Sequence, residues 1–401
     1  MGADTPSPLA GLKVVDCATL FAGPVVASLM ADYGADVLKV EHPRGDPVRY
    51  MGPRDGDVSL WWAVLARNKR SVTLKLSDPR GADVLKRLLR DADVFIENFR
   101  PGTLERWGLG PDVLHELNPG LVIVRTTGFG QTGPYASRPG FGTLAEAISG
   151  FAHINGWPDK PPSLPPLALG DHIAGLTGCF AVMFALWWRE HGGDGAGQVI
   201  DVSIFEPLFW MLGPTAAAYD RFGIVPERVG NSSPLLTPRN TYRSSDGRWL
   251  ALSASSPSIA HRVMTLVGRE DLANAPWFQD TTARAEHADE IDEAVRAWIA
   301  ERTLEETLAA FAEAEGAIAP VYSIADIFED PQYRAREAIT EFDDPRIGKL
   351  KLQNVIPRLD RTPGTIEHLG PDLGEHNEQV YVEELGLTPQ QYAALKEQKV
   401  V

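Results

Sequence analysis

Asp171 lies in Leu167-Ala168-Leu169-Gly170-Asp171-His172-Ile173-Ala174-Gly175, where a Pro- and Leu-rich stretch gives way to an apolar run. A carboxylate between glycines and apolar neighbours is poorly solvated, which raises its basicity and its use as a nucleophile. An aspartate just ahead of a helix also caps free backbone N–H groups and needs no chemistry for that. Three other clusters carry candidate chemistry. Glu97-Asn98-Phe99-Arg100-Pro101-Gly102 follows an apolar strand, with Arg106 six residues beyond Arg100. An amide, an aromatic ring and two guanidinium groups there suit an adenine and its phosphates. Asn68-Lys69-Arg70-Ser71 places two cations before a strand and by itself reads as a solvated turn. Gly128-Phe129-Gly130-Gln131-Thr132-Gly133 matches a dinucleotide fingerprint, but Pro134 follows. That fingerprint requires a helix N-terminus to receive the pyrophosphate, so these glycines are expected to shape a site loop instead.

The elements that must hold these residues alternate. Leu12 to Asp16 reads as a strand, Ala22-Gly23-Pro24 opens a helix ended at Gly34, and Ala35 to Glu41 is the next strand. This is a βαβ unit, which implies a parallel sheet. Ser71 to Leu76, Asp93 to Glu97 and Leu121 to Arg125 read as further strands, with Asp78 to Arg90 helical between the first two. The expectation is an α/β fold: a Rossmann-like parallel-sheet large domain over 1–225 and a smaller α+β domain over 226–325. Within the latter, Trp249 to Ser253 is a strand, while Glu290 to Arg302 and Leu304 to Glu315 are helices. A helix near Pro389 to Glu397 closes the chain. Asn155 to Leu167, rich in Pro, is expected to be a loop that covers or shapes the site beside Asp171. Phe205, Trp210 and Tyr219 are expected to be helix core.

Composition bounds the partners. The 401 residues contain 54 acids against 38 Lys plus Arg, a net charge of −16, which disfavours nucleic acid and anionic membranes. An anionic small ligand needs only a few local cations. Cys17 and Cys179 make no disulfide framework, nine scattered histidines show no metal-ligand spacing, and a cytoplasmic location is expected. Ile173 to Trp188 falls short of the ~20 residues of a membrane span and is read as a buried core helix.

These pieces together resemble the class III CoA-transferase family, also called the CaiB–BaiF family. The likeness runs through Pro8 to Asp16, Ala22-Gly23-Pro24, Gly34 to Glu41, Asn68 to Ser71, Glu97-Asn98-Phe99, Gly128 to Pro134, Gly170-Asp171, Gly197-Gln198 and Gly374-Glu375-His376. The resemblance implies a C-terminal segment, 326–401, that returns to the large domain, and an interlocked homodimer. It implies coenzyme A or acyl-CoA as substrate together with a small carboxylic acid, no permanently bound cofactor and no metal. Asp171 would be the nucleophile, and Leu74, Asn98, Phe99 and Arg106, with Arg100 adjacent, would contact CoA. His42 stands where related enzymes often carry Arg.

The nearest rival is an acyl-CoA racemase of the same fold, whose Gly-His-Asp motif falls here on Gly140-Phe141-Gly142. Phe141 cannot move a proton, and acid–base work needs a titratable group in reach. A non-catalytic acyl-CoA-binding protein would keep Asn98 and Arg106 but have no use for Asp171. An oxidoreductase is disfavoured by Pro134.

Overall fold

The structure, a computed structural model, describes residues 7–233, 236–254 and 256–401. The chain divides into two compact units. Of the described residues, the first takes in 7–151, 164–214 and 335–401, and the second takes in 152–163 and those within 215–334. The second unit thus takes in 152–163 and 215–225, which the sequence assigns to the large domain, and Asn155 to Leu167 is split between the units.

The first unit is built on six parallel strands: β1 (Lys13–Asp16), β2 (Asp36–Glu41), β3 (Lys69–Thr73), β4 (Val94–Glu97), β5 (Val122–Thr127) and β6 (Val199–Ser203). Their order is β3-β2-β1-β4-β5-β6. Strand side chains alternate between faces, and here both faces are covered. Val15, Leu38, Val72, Phe95 and Ile123 join one apolar cluster, while Val14, Val37, Val94, Ile96, Val122 and Val124 join another. Two-sided burial explains why consecutive apolar residues, such as Val14-Val15, Val37-Leu38 and Val122-Ile123-Val124, occur within these strands. Helix α1 (Ala22–Asp32) lies in the second of those clusters, and α2 (Pro79–Leu89), capped by Asp78, lies in the first.

Helices α3 (Gly142–Ile148) and α4 (Leu169–His191) follow β5, and α5 (Phe205–Met211) follows β6. By length and composition α4 could cross a bilayer. Its Ala174, Val182 and Ala185 are instead packed in the core with α1 and the sheet. A Cβ at Gly175 would come within 2.6 Å of Val25, so glycine sets how closely α4 meets α1. The opposite face corrects the expectation of a buried helix: Phe180 is 62% and Trp187 66% exposed. Trp210 and Tyr219 are also exposed rather than core, whereas Phe205 is partly buried against the sheet.

The second unit holds three antiparallel strands, β7 (Arg239–Arg243), β8 (Trp249–Ser253) and β9 (Ile318–Pro320), in the order β9-β8-β7. They pack on helices α6 (Pro257–Leu266), α7 (Ala288–Ala300) and α8 (Leu304–Glu313). After a hairpin, β10 (Ile339–Asp344) and β11 (Gly348–Gln353), the chain runs along the outer edge of β3. There Ser71 N–H donates to His376 Nδ1 at 3.1 Å, Thr73 N–H to Asn377 Oδ1 at 2.8 Å, and Tyr381 Oη to Thr73 O at 2.8 Å. Donors of an edge strand that would otherwise be open are satisfied by side chains. The final helix, α9 (Pro389–Glu397), opens on a capping box from Thr388 and Gln391.

Candidate active site

Open parallel sheets bind ligands outside the carboxyl ends of their strands, where the strand order reverses. Here β1 is the reversal point, flanked by β2 and β4, and the residues just beyond β1, β4, β5 and β6 line one cavity of about 280 Å³. Asp171 lines it together with Asn98, Phe99, Arg100, Arg138 and Phe141.

The loop after β1 forms one wall, and buried side chains grip its backbone. Ala18 N–H donates to Asp16 Oδ1 at 3.1 Å, and Lys39 Nζ donates to Ala18 O. The Asn98 amide clasps Thr19 from both sides, accepting its N–H at 2.8 Å and donating to its carbonyl at 2.7 Å. Leu20 N–H donates to Asp46 Oδ1 at 3.2 Å, which holds Leu20 at a left-handed φ of 64°. Lys69 completes the cluster, donating to Asp16 Oδ2 at 3.1 Å and Pro24 O at 2.8 Å. Burial opposes charge on both lysines, but the carboxylates of Asp16, Asp46 and Glu41 outweigh it and raise the Lys39 pKa. The Lys69 pKa is lowered, by burial first and by Lys39 as well. The expected solvated turn at 68–71 is therefore corrected: Lys69 is buried, and Arg70 pairs with Asp36 and Glu384.

A second buried pair fixes the loop after β4. Glu97 accepts from Arg125 Nε at 2.7 Å and from Phe99 N–H at 2.7 Å. Burial lifts its pKa to about 7 against the pull of Arg125. Phe99 rests edge-on against Trp107 at 5.2 Å.

Asp171 is the third residue of α4, inside its first turn. The N-cap is Ala168, with no side-chain capping bond, so the capping role does not apply. Burial raises the Asp171 pKa to about 6; Glu146 adds to the rise, while His172 and backbone bonds to the Gly142 and Asp171 amides oppose it. Glu146 is buried on α3, and its Oε1 accepts from Gly170 N–H at 3.1 Å. A Cβ placed on Gly142 would lie 2.2 Å from Asp171 Oδ2. Glycine there is what leaves the carboxylate its space. His172 hydrogen-bonds Ala168 O through Nδ1 at 2.7 Å and lies beside the rings of Phe21 and Trp61.

The residues singled out in sequence divide into two groups. Asn98, Phe99 and Arg100 meet Asp171 in one cavity, and His42, Leu74 and Arg106 do not line it. Leu74 is core, with its N–H donated to Glu41 O at 2.6 Å. His42 is exposed, its Nδ1 accepting from Arg44 N–H at 3.1 Å, and its pKa is lowered by partial burial, Arg44 and Lys75. Arg106 is exposed and donates to Thr103 Oγ1 at 2.9 Å. Even so, His42, Leu74 and Asn98 immediately follow β2, β3 and β4, so all three stand on one carboxyl edge of the sheet. The glycine segment 128–133 leads into turns, and no helix begins before Gly142. Among the described residues no His, Cys, Asp and Glu side chains group as metal ligands.

Sequence reasoning missed Glu146. A lone acid in the apolar stretch Leu144-Ala145-Glu146-Ala147-Ile148 was the available signal.

Residues 9–377 match the family model for CoA-transferase family III. The chain belongs to this family, and it is by that membership an enzyme of the CoA-transferase class. It is 42% identical to the succinyl-CoA–L-malate CoA-transferase beta subunit of Chloroflexus aurantiacus, covering 100% of both chains. It is 40% identical to the succinyl-CoA–D-citramalate CoA-transferase of the same organism, over 99% of this chain and 98% of the relative. A crystal structure of a CAIB/BAIF family protein from Brucella suis superposes with a TM-score of 0.82 at 32% identity, covering 94% of this chain and all of that one.

Proposed function

We propose that this chain transfers CoA from an acyl-CoA thioester to a free carboxylic acid through an aspartyl-CoA thioester on Asp171. The observation that carries this reading is the Asp171 carboxylate, desolvated yet uncapped, on the wall of a small cavity. An Asp171 oxygen attacks the donor acyl carbon, and CoA leaves as thiolate, giving a mixed anhydride. The thiolate then attacks the aspartyl carbonyl, and the donor acid leaves as carboxylate. The acceptor carboxylate repeats both steps in reverse and regenerates Asp171, with no net proton consumed. Splitting one exchange into two acyl transfers is the gain of covalent catalysis. The Gly142 backbone amide, which favours charge on the Asp171 carboxylate, supports a role in stabilising the charge that develops there.

Likeness to the succinyl-CoA-dependent relatives supports short dicarboxylic acids such as succinate and malate as the acids exchanged. The strand order supports the Rossmann-like reading, and the row formed by His42, Leu74 and Asn98 supports CoA lying along the carboxyl edge, with Arg100 and Arg106 for its phosphates. The exposed Phe180, Trp187 and Trp210 support a second copy of the chain as a partner, since large apolar surface usually marks an interface. Two free thiols fit a reducing compartment, the cytoplasm. The racemase alternative is opposed twice. Phe141 stands at its histidine position, and its aspartate position is Gly142, where any side chain meets Asp171.

Incubation with an acyl-CoA followed by hydroxylamine or borohydride and mass spectrometry should place the adduct on Asp171. Turnover that survives Asp171→Ala rejects the proposal.

A further inference from the structure

Glu97 and Arg125 stand opposite each other on β4 and β5. Glu97 ends β4, and its side chain is fully buried. Its Oε1 accepts from Arg125 Nε at 2.7 Å, and its Oε2 accepts from Phe99 N–H at 2.7 Å. Arg125 is buried as well, and its Nη1 donates to Glu105 Oε1 at 2.8 Å. Glu105 belongs to the helical turn Thr103–Arg106. One guanidinium therefore fixes both ends of the segment 98–106: Phe99 through Glu97, and the turn of Arg106 through Glu105. Asn98, Phe99, Arg100 and Arg106 all lie on that segment.

Stability does not account for the pair. A buried ion pair gains little over well-packed apolar side chains, because both charges lose their water. Here that cost shows twice: desolvation lifts the Glu97 carboxyl to about 7, and Arg125 Nη2 has no hydrogen-bond partner. Local rules of this kind are broken mainly where function needs a fixed geometry. Neither residue lines the cavity of Asp171, so both act through what they hold. We infer that Glu97 and Arg125 are positioning residues for CoA, holding segment 98–106 in the shape that CoA binds. This inference rests on the reading that CoA lies along the carboxyl edge of the sheet. Besides Arg125, the titratable groups facing Glu97 are Glu105 and the thiol of Cys17, which burial keeps protonated.

Calorimetric titration with free CoA tests the inference without any acyl transfer. Glu97→Gln keeps the shape but offers one acceptor oxygen where two are used. Its Kd for CoA at pH 8 should be about tenfold above wild type, the loss expected for one hydrogen bond to a charged group. Glu97 is ionised above pH 7 and protonated below it, and the protonated form resembles Gln. Between pH 8 and pH 6 the gap between the two proteins should therefore close to about twofold, as linkage requires. The titration of CoA's own phosphates is common to both proteins and cancels. A role in packing alone would leave the gap the same at both pH values. Glu97→Leu combined with Arg125→Met removes both charges together, so neither is left buried alone. This double variant should unfold near the wild-type urea concentration yet bind CoA at least about tenfold more weakly. Equal CoA affinity in the double variant, or a gap that does not change with pH, overturns the inference while wild-type binding leaves the CoA reading standing. A wild type that binds no CoA overturns both.

Discussion

At the scale of single residues, the carboxylate of Asp171 combines reactivity with a stability cost. Its pKa of about 6 against an ordinary 3.8 means the folded protein favours the protonated form. As the proposed nucleophile it must be ionised, so kcat/KM should fall about tenfold per pH unit below pH 6. A folded-state pKa above the unfolded one means stability is lost as pH rises from about 4 to about 6. Asp171→Asn, which mimics the protonated form, should thus be inactive yet about 1–3 kcal/mol more stable at pH 8, with no gain below pH 4; urea unfolding at both pH values measures this. Glu146→Gln removes a charge that raises the Asp171 pKa, so the acid limb of the profile should move to lower pH. Gly142→Ala places a methyl on the Asp171 oxygen and should cost at least ~100-fold in kcat, as small misplacements of reacting groups do. Of these residues, Asp171 was legible from its glycine-flanked, apolar context. Gly142 and Glu146 were not, because their roles depend on contact with a residue about thirty positions away.

At the scale of elements, the wall of the site is a short loop whose conformation is imposed from beneath. Leu20 holds a left-handed φ without being glycine, at a cost of order 1–3 kcal/mol that the surrounding bonds must offset. The offset comes from Asp16, Asp46, Asn98 and the buried lysines Lys39 and Lys69. Removing one charge from such a cluster leaves another uncompensated in the core. Lys69→Met should therefore lower unfolding stability by about 3–5 kcal/mol in urea titration, far beyond the effect of an exposed lysine. The same stretch shows what local pattern misreads. Asn68-Lys69-Arg70 looks like a polar turn because charges usually seek water. The partners that justify burying Lys69 are Asp16, 53 residues earlier, and the carbonyl of Pro24.

At the scale of the whole molecule, α4 joins the proposed nucleophile to an exposed apolar face. Its first turn carries Asp171, its inner face packs on α1 and the sheet, and its outer face exposes Phe180 and Trp187. If a second copy covers this face, Phe180→Glu together with Trp187→Glu should shift the sedimentation profile from dimer to monomer. An unchanged profile would instead mean that the face takes another partner or stays bare.

The sequence by itself determined the alternating βαβ order, the parallel sheet and the closing helix, and it singled out Asp171 as the candidate nucleophile, because periodicity, helix punctuation and a glycine-flanked acid are local signals. It also ruled against the glycine fingerprint as a dinucleotide site, since Pro134 acts on its own neighbourhood. Only the tertiary structure decided that Asp171 sits inside the first turn of α4 rather than capping it. It alone buried Lys69, exposed Trp210 and Trp187, and brought Asn98, Phe99 and Arg100 to the cavity of Asp171. Burial and hydrogen-bond partnership are properties of segments distant in sequence, and no window along the chain contains them.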